Sequence, residues 1–232
     1  KNSSISEQKN QDEQQKNLIE VKNKILEQKN REILDSITYA KRIQQAILPD
    51  SSRWNDRLSN SLVFYSPKDI VAGDFYWLEE NDDYLFVAVA DCTGHGVPGA
   101  MVSVICSNAL TKSVLEEQLV TTATILNRTR ELVQSKLSRN HDAISDGMDI
   151  ALIRINKRNR NEIQFSAANR PLWIVRSKAE CIVFKGDKQP IGNYYNPQPF
   201  TETNINLEKG DQVWIFTDGF GDQFGGSRGK KY

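Results

Sequence analysis

The sequence predicts an α+β fold, in which antiparallel sheets carry helices packed on a face and a long N-terminal helix precedes them. Three observations predict it. Residues 1–48 contain neither glycine nor proline, strand-like runs come in two blocks, and two helical stretches separate those blocks. Repeated βαβ units would alternate strands with helices, so the block arrangement favours antiparallel pairing. At 232 residues the chain is long enough for one sizeable domain with an appendage.

Residues 1–49 are predicted to form a helical linker. One heptad column, from Ile5 to Ile47, is apolar in six places of seven, whereas its companion column holds residues such as Lys22 and Lys29. A strong coiled coil needs both columns. For residues 1–17 a solvated polar helix remains the competing interpretation. Residues 18–48 end in a broad apolar face, so we expect this part to dock on the following domain or to form a homodimer.

Residues 50–232 are predicted to form a second domain that begins with strands. Helices are expected over 99–118 and 122–137, each with an apolar stripe. Alternating or apolar runs predict strands before and after them, with turns such as RNRN, SKAE and EKGD between. These runs are SLVFYS (61–66), DFYWLE (74–79), YLFVAVAD (84–91), DIALIRIN (149–156), EIQFSAAN (162–169), PLWIVRS (171–177), ECIVFKG (180–186), TETNINL (201–207) and DQVWIFTD (211–218).

The composition excludes several classes of function. Lys plus Arg and Asp plus Glu both number 30, so the zero net charge argues against nucleic acid as a partner. Three cysteines without a CxxC pair and two histidines argue against a zinc site or a disulfide framework. The cysteine usage predicts a reducing compartment, and no apolar run reaches the roughly 18 residues of a membrane span, so a cytoplasmic location is expected. The start without methionine and the glycine-rich end indicate a fragment of a longer parent, whose membrane attachment is left open.

Three apolar runs each end or begin at an aspartate close to a glycine. These are VAGDFYW with Asp74, VAVADCTG with Asp91 and VWIFTDGF with Asp218. One such aspartate is an ordinary turn residue. Three of them can meet, because strand ends cluster at one rim of a sandwich. Clustered carboxylates repel one another, and a divalent cation relieves that repulsion. An all-oxygen set suits Mg²⁺ or Mn²⁺, and a pair of such ions activates water for attack on a phosphoryl group.

The spaced motifs GDFYW, ADCTGHGVPGAMVS, DGMDIAL, FSAANRPLWI, KQPIG and FTDGF resemble the SpoIIE/RsbU branch of the PPM (protein phosphatase 2C-like) serine/threonine phosphatases. The preceding SITYAKRIQQAILP resembles the linker helix of that family. The resemblance covers residues 35–232. It implies a sandwich of two antiparallel sheets flanked by helices, with two Mn²⁺ or Mg²⁺ ions at one edge. It also implies a phosphoprotein substrate and an upstream sensor domain that acts through the linker.

The resemblance assigns roles to four residues. Asp74 would bridge the metal ions, Asp91 and the backbone carbonyl of Cys92 would be further ligands, and Asp218 would complete the present set. Asp74 and Asp91 are therefore the catalytic candidates. Family members continue past the TDG motif to a further acidic ligand. We therefore expect the phosphatase domain to be truncated at its C-terminus, the metal site to be incomplete and this fragment to be weakly active or inactive.

Other polar residues near these motifs have simpler interpretations. His95 lies between two glycines, which fits a turn or an indirect contact better than general acid catalysis. Lys68 is a candidate phosphate contact. Asp146 and Asp149 are interpreted as turn and capping residues at a strand start, rather than as ligands.

Two other functions compete with the phosphatase. One is a non-catalytic signalling or dimerisation module with a phosphatase-like fold, and the other is a helical spacer with a degenerate domain. Intact Asp74, Asp91 and Asp218 favour the enzyme.

Overall fold

The computed structural model describes residues 2–137, 146–177, 180–219, 221–222, 224–225 and 230–231, with side chains from residue 13 to residue 222. The chain divides into two compact units, Lys1–Arg42 and Ile43–Tyr232. Each unit is described by itself below.

A single helix, α1 (Asn2–Gln45), accounts for the first unit and the start of the second. Its 44 residues contain neither glycine nor proline, so nothing in the backbone interrupts it. A turn follows up to Pro49, which cannot continue a helix. Apolar side chains along α1 are more than half exposed, namely Leu18, Ile19, Val21, Ile25, Leu26, Ile33 and Leu34. The single chain therefore leaves the apolar stripe of the helix open.

The segment after Pro49 differs from its prediction. A short helix, α2 (Ser51–Arg57), begins where the Asp50 carboxylate accepts a hydrogen bond from the Arg53 N–H. No strand of the described chain pairs with residues 61–66, so the strand predicted there is wrong. Leu62 and Phe64 are 89% and 82% exposed. The side chains of this segment do alternate in burial. The segment has no neighbouring strand in the described chain with which to form hydrogen bonds, so it is not part of a sheet.

The main sheet is antiparallel and has six strands among the described residues. The strands are β1 (Phe75–Glu80), β2 (Tyr84–Cys92), β3 (Gly147–Asn156), β4 (Glu162–Ala168), β7 (Ile191–Gly192) and β8 (Thr203–Asn206). Their order in the sheet is β1-β2-β3-β4-β8, with β7 paired to β3. β2 and β3 pair over their whole shared length, from Tyr84 opposite Asn156 to Cys92 opposite Met148. This long central pair is the rigid base of the site described below.

Two helices cover one face of the main sheet. They are α3 (Gly96–Thr111), which continues as a π-helical turn over Lys112–Glu116, and α4 (Thr122–Leu137). Alternate strand residues such as Phe86, Ile150 and Leu152 pack against helix residues such as Leu110 and form the first core. Such burial is worth roughly 1.5–3 kcal/mol for each large side chain.

A smaller antiparallel sheet covers the other face. Its order is β6-β5-β9, formed by β5 (Leu172–Val175), β6 (Cys181–Phe184) and β9 (Gln212–Ile215). The second core includes Leu85, Val87 and Phe165 of the main sheet with Leu172 and Ile174 of the smaller one. A further pair, β10 (Phe224–Gly225) with β11 (Lys230–Lys231), lies near the end of the chain. The predicted α+β sandwich with flanking helices and a long N-terminal helix is confirmed.

Within the second unit, a buried side chain holds the last turn of α1. Gln44 is 4% exposed, and its amide oxygen accepts a hydrogen bond from the Ala72 N–H at 3.1 Å. Its amide nitrogen donates to the Ala72 carbonyl and, at 2.9 Å, to the Ser103 hydroxyl. The end of the helix is thus bound to the chain two residues before Asp74.

No helix in the described ranges contains a stretch both long enough and apolar enough to span a bilayer.

Candidate metal centre

Asp74 and Asp91 lie side by side at one edge of the main sheet. Asp74 immediately precedes β1, and Asp91 is the penultimate residue of β2, whose Ala90 pairs with Phe75. Since alternate residues share a face, Asp91 points to the side of the second core, as Val87 does. Burial, and after it the negative charge of Asp74, raises the pKa of Asp91 to about 7 against the opposing effect of Arg170.

Asp149 and Asp218 complete a group of four carboxylates. Asp149 is the third residue of β3 and lies opposite Asp91 in the register. Asp218 follows β9 of the smaller sheet by three residues. The strand ends of both sheets therefore bring acidic groups to the same rim, as the sequence predicts for Asp74, Asp91 and Asp218.

The guanidinium of Arg170 lies among these carboxylates. Its Nη2 donates hydrogen bonds to Asp91 Oδ2 at 2.6 Å and to Asp218 Oδ2 at 2.9 Å. Asp149 Oδ2 is 3.4 Å from the same nitrogen. The Arg170 side chain is only 12% exposed. Its pKa is raised: burial opposes the charged form, but the hydrogen bond to Asp218 and the surrounding negative charges outweigh it.

The turn that delivers Arg170 is fixed on both sides. Asn169 has a φ of 59°, an unusual backbone conformation that asparagine tolerates. Its side-chain amide donates to Asp149 Oδ1 at 2.7 Å, and its backbone N–H donates to the Asp187 carbonyl at 2.8 Å. Gly186 allows the close approach, because a Cβ there would lie 2.8 Å from the Arg170 carbonyl oxygen.

Two hydroxyl groups hold Asp74. Thr217 Oγ1 donates to Asp74 Oδ2 at 2.7 Å, and the Tyr65 hydroxyl donates to the Asp74 carbonyl at 3.1 Å. Burial, followed by the Asp74 charge, raises the pKa of Tyr65 to about 12. Tyr65 therefore keeps its proton and remains a donor at neutral pH.

The backbone carbonyl of Cys92 lies beside Gly73, whereas its thiol lies in the first core. A Cβ on Gly73 would lie 2.8 Å from the carbonyl oxygens of both Cys92 and Gly94, so this crossing requires glycine. The thiol is buried in the first core next to Cys106. Interaction with Cys106 and burial raise the pKa of the Cys92 thiol well above its ordinary value. Such a thiol is not a thiolate at neutral pH, so only the backbone carbonyl of Cys92 stays a candidate metal ligand.

The remaining candidates occupy the periphery. The His95 side chain is 96% exposed, with Nδ1 3.5 Å from Asp69 Oδ2, and the residue directly precedes α3. Lys68 is exposed. Asp146 accepts a hydrogen bond from Thr93 Oγ1 at 2.9 Å, as expected for a turn residue. The prediction that Asp149 is a turn or capping residue is wrong. Asp149 lies within β3, opposite Asp91 of β2.

A cleft of about 480 Å³ opens beside the carboxylates. Its lining includes Asp91, His95, Met148, Asp149 and Asn193. Among the described residues, no three carboxyl, imidazole or thiol groups form a ready metal-binding cluster. The carboxylates of Asp91 and Asp218 are instead joined through Arg170.

Sequence reasoning missed four residues of this site: Asp149, Asn169, Arg170 and Thr217. Arg170 carried a signal, since it is a lone cation followed by proline between two apolar runs. Its partners could not be inferred, because Asp91 and Asp218 lie 79 and 48 residues away in the chain.

Comparisons with known proteins agree with this architecture. The family model of the stage II sporulation protein E, SpoIIE, matches residues 81–231. The phosphoserine phosphatase RsbU of Bacillus subtilis (strain 168) is 26% identical over 195 residues, which are 82% of this chain and 54% of RsbU. The chain thus spans about half the length of that relative.

Solved structures give the same result. The SiaA-PP2C domain of Pseudomonas aeruginosa superposes with a TM-score of 0.76 at 32% identity, over 86% of this chain and 77% of that one. The PP2C phosphatase domain of SpoIIE from Bacillus subtilis, solved with a fragment of its regulatory domain, has a TM-score of 0.50 at 22% identity. That superposition covers 65% of this chain and 41% of the other, and it supports the fold alone. On the family match and the SiaA superposition, the chain belongs to the SpoIIE family of PP2C-type phosphatase domains.

Proposed function

We propose that this chain is a metal-dependent protein serine/threonine phosphatase that acts on phosphoserine or phosphothreonine of a signalling protein. One observation carries the proposal: four carboxylates from four separate segments meet at one rim of a PP2C-type sandwich. They are Asp74, Asp91, Asp149 and Asp218. The name of RsbU, phosphoserine phosphatase, supports the substrate class.

The donor set fits a hard divalent cation. Asp74, Asp91, the Cys92 carbonyl and Asp218 are the proposed ligands, and all of them offer oxygen, which Mg²⁺ and Mn²⁺ prefer. Arg170 supplies one positive charge to a group of four carboxylates, and the charge of Asp74 is, after burial, the second cause of the raised pKa of Asp91. Two divalent ions would offset the remaining negative charge.

The residues of this chain prepare the reaction in three ways. Thr217 and Tyr65 fix the orientation of Asp74, and the pairing of β2 with β3 fixes Asp91. The adjoining cleft offers room for a phosphorylated side chain. Bound Mn²⁺ or Mg²⁺ would supply a water of lowered pKa for in-line attack on the phosphoryl group.

We also propose that α1 regulates the site. Gln44 joins the end of the helix to Ala72, and the next residue, Gly73, touches the carbonyl of Cys92. A displacement of the helix end would therefore shift the positions of two proposed ligands, Asp74 and Cys92. An upstream sensor domain and homodimerisation through the exposed apolar stripe are the proposed sources of such a displacement.

A non-catalytic signalling module is the second candidate. The observation in its favour is that Arg170 already supplies one positive charge to the carboxylates. A chain that used this ion-pair network only for stability would bind neither metal nor substrate.

Hydrolysis of a phosphoserine peptide tests the proposal. Phosphate release should require Mn²⁺ or Mg²⁺, stop in excess chelator and return when metal is restored. Asp74→Asn and Asp91→Asn should lose most of the activity. The control Asp83→Asn should not, because Asp83 pairs with Arg158 at the surface. Metal-independent hydrolysis would contradict the mechanism, and metal binding without phosphopeptide hydrolysis by the full-length parent would favour the signalling module.

A further inference from the structure

Arg170 has an environment that the proposed chemistry does not explain. It is the guanidinium that meets three carboxylates of the site at once. Its Nη2 has two hydrogens, and these serve Asp91 and Asp218, the two closest partners. Its Nε is buried and has no hydrogen-bond partner among the described residues. The guanidinium is therefore held by negative charge more than by a complete set of hydrogen bonds.

The contacts of Arg170 coincide with two of the proposed metal ligands. The same oxygen atoms, Asp91 Oδ2 and Asp218 Oδ2, accept its hydrogen bonds at 2.6 and 2.9 Å. A Mg²⁺ or Mn²⁺ ion held at this site would be bound directly by carboxylate oxygens such as these. The ion and the Nη2 group would compete for the same electron pairs and would repel each other.

Asp149 is an alternative ion-pair partner for the Arg170 guanidinium. Its Oδ2 is 3.4 Å from Nη2, too long for a good hydrogen bond, and its Oδ1 is held by Asn169 at 2.7 Å. The backbone of the turn is fixed, so only the side chain of Arg170 would have to move. A small rotation toward Asp149 would free Asp91 and Asp218 while keeping the positive charge paired.

We propose that Arg170 is a tethered cation: it holds the acidic site together in the metal-free chain and competes with the metal ion for Asp91 and Asp218. This inference rests on the proposed metal-binding function and deepens it. Arg170 is a positioning residue in this role, since it acts through the carboxylates. Without it, the metal-free chain would leave four carboxylates to repel one another.

Calorimetric titration of Mn²⁺ into the wild-type chain and Arg170→Gln tests the inference. Removal of the competing charge should tighten Mn²⁺ binding by about 10-fold, because a nearby positive charge opposes a cation. Thermal melting supplies a second readout. In chelator, Arg170→Gln should melt at a lower temperature than the wild type, and saturating Mn²⁺ should remove most of that difference.

Two further variants sharpen the result. Arg170→Lys keeps the charge but loses the planar guanidinium, so its Mn²⁺ affinity should lie between those of the wild type and Arg170→Gln. Arg128→Gln is the matched control, because Arg128 also pairs with two carboxylates, Glu117 and Glu131, outside the site. Its Mn²⁺ affinity should equal that of the wild type.

The outcomes separate the two proposals. Unchanged or weaker Mn²⁺ binding by Arg170→Gln would overturn the role of Arg170 as a competing cation while leaving the metal site intact. If Arg170→Gln does not fold, Arg170→Lys decides the matter in the same way. Absence of Mn²⁺ binding by the wild type would instead overturn the proposed function itself.

Discussion

Asp91 and Asp149 lie directly opposite each other on β2 and β3, and the guanidinium of Arg170 contacts both. Like charges on opposed strand positions destabilise a sheet, so this pair needs a cation. In the metal-free chain that cation is Arg170, helped by a proton, because the pKa of Asp91 is about 7. The Asp91–Asp149 pair therefore lowers the free energy of unfolding, at the position where the proposed metal site needs negative charge.

Gly73→Ala tests the close crossing at the proposed metal ligands. The new Cβ would lie 2.8 Å from the Cys92 and Gly94 carbonyl oxygens, which are backbone atoms that cannot rotate away. We expect a loss of about 1–3 kcal/mol in the free energy of unfolding, measured by denaturant titration. Mn²⁺ affinity should fall as well, because the Cys92 carbonyl must shift. If Gly73→Ala kept both the stability and the Mn²⁺ affinity of the wild type, the close contact of Gly73 with these carbonyl oxygens would not matter for the site.

Gln44→Ala tests the connection between α1 and the site. The substitution leaves the N–H and carbonyl of Ala72 without their amide partner, which should cost about 1–3 kcal/mol. Phosphatase activity should fall with it, because Ala72 is two residues from Asp74. The neighbouring Gln45 is exposed, so Gln45→Ala is the matched control and should leave both properties unchanged. Equal effects of the two variants would remove Gln44 from the regulatory proposal.

The double variant Ile37→Asp with Ile43→Asp tests the proposed homodimer. Ile43 is 51% exposed and Ile37 is partly buried in the single chain, and both belong to the apolar face expected to meet a partner. Each large side chain buried in an interface is worth roughly 1.5–3 kcal/mol, so two charges there should shift the chain to monomer. Analytical ultracentrifugation measures that shift. An unaltered mass and an unaltered phosphatase rate would mean that α1 is only a tether.

The sequence predicted most of the fold because its periodicity matches its burial. In β2, alternate residues enter the two cores, Phe86 and Ala88 on one side, Leu85 and Val87 on the other, which explains a continuous apolar run. The same rule failed at residues 61–66, where Leu62 and Phe64 are exposed. Alternation describes one strand only, and it cannot supply the partner on which a sheet depends.

The site was predicted less completely than the fold. Aspartates near glycines at the ends of apolar runs marked Asp74, Asp91 and Asp218. Asp149 begins a predicted strand, where a turn or capping role explained it as well, and its place in the site depends on the register that sets it opposite Asp91. Arg170 depends on contacts between distant segments, for which a single sequence has no local pattern.

Calorimetric titration of Mn²⁺ into the wild-type chain and Asp91→Asn is the most direct test of the proposed metal centre. The substitution keeps the size of the side chain and removes its charge. The account predicts that the wild type binds Mn²⁺ and that the variant binds at least 10-fold more weakly, a difference of about 1.4 kcal/mol or more. Asp83→Asn, a surface control, should bind like the wild type. Equal affinity of Asp91→Asn and the wild type, or no binding by either, would contradict the account.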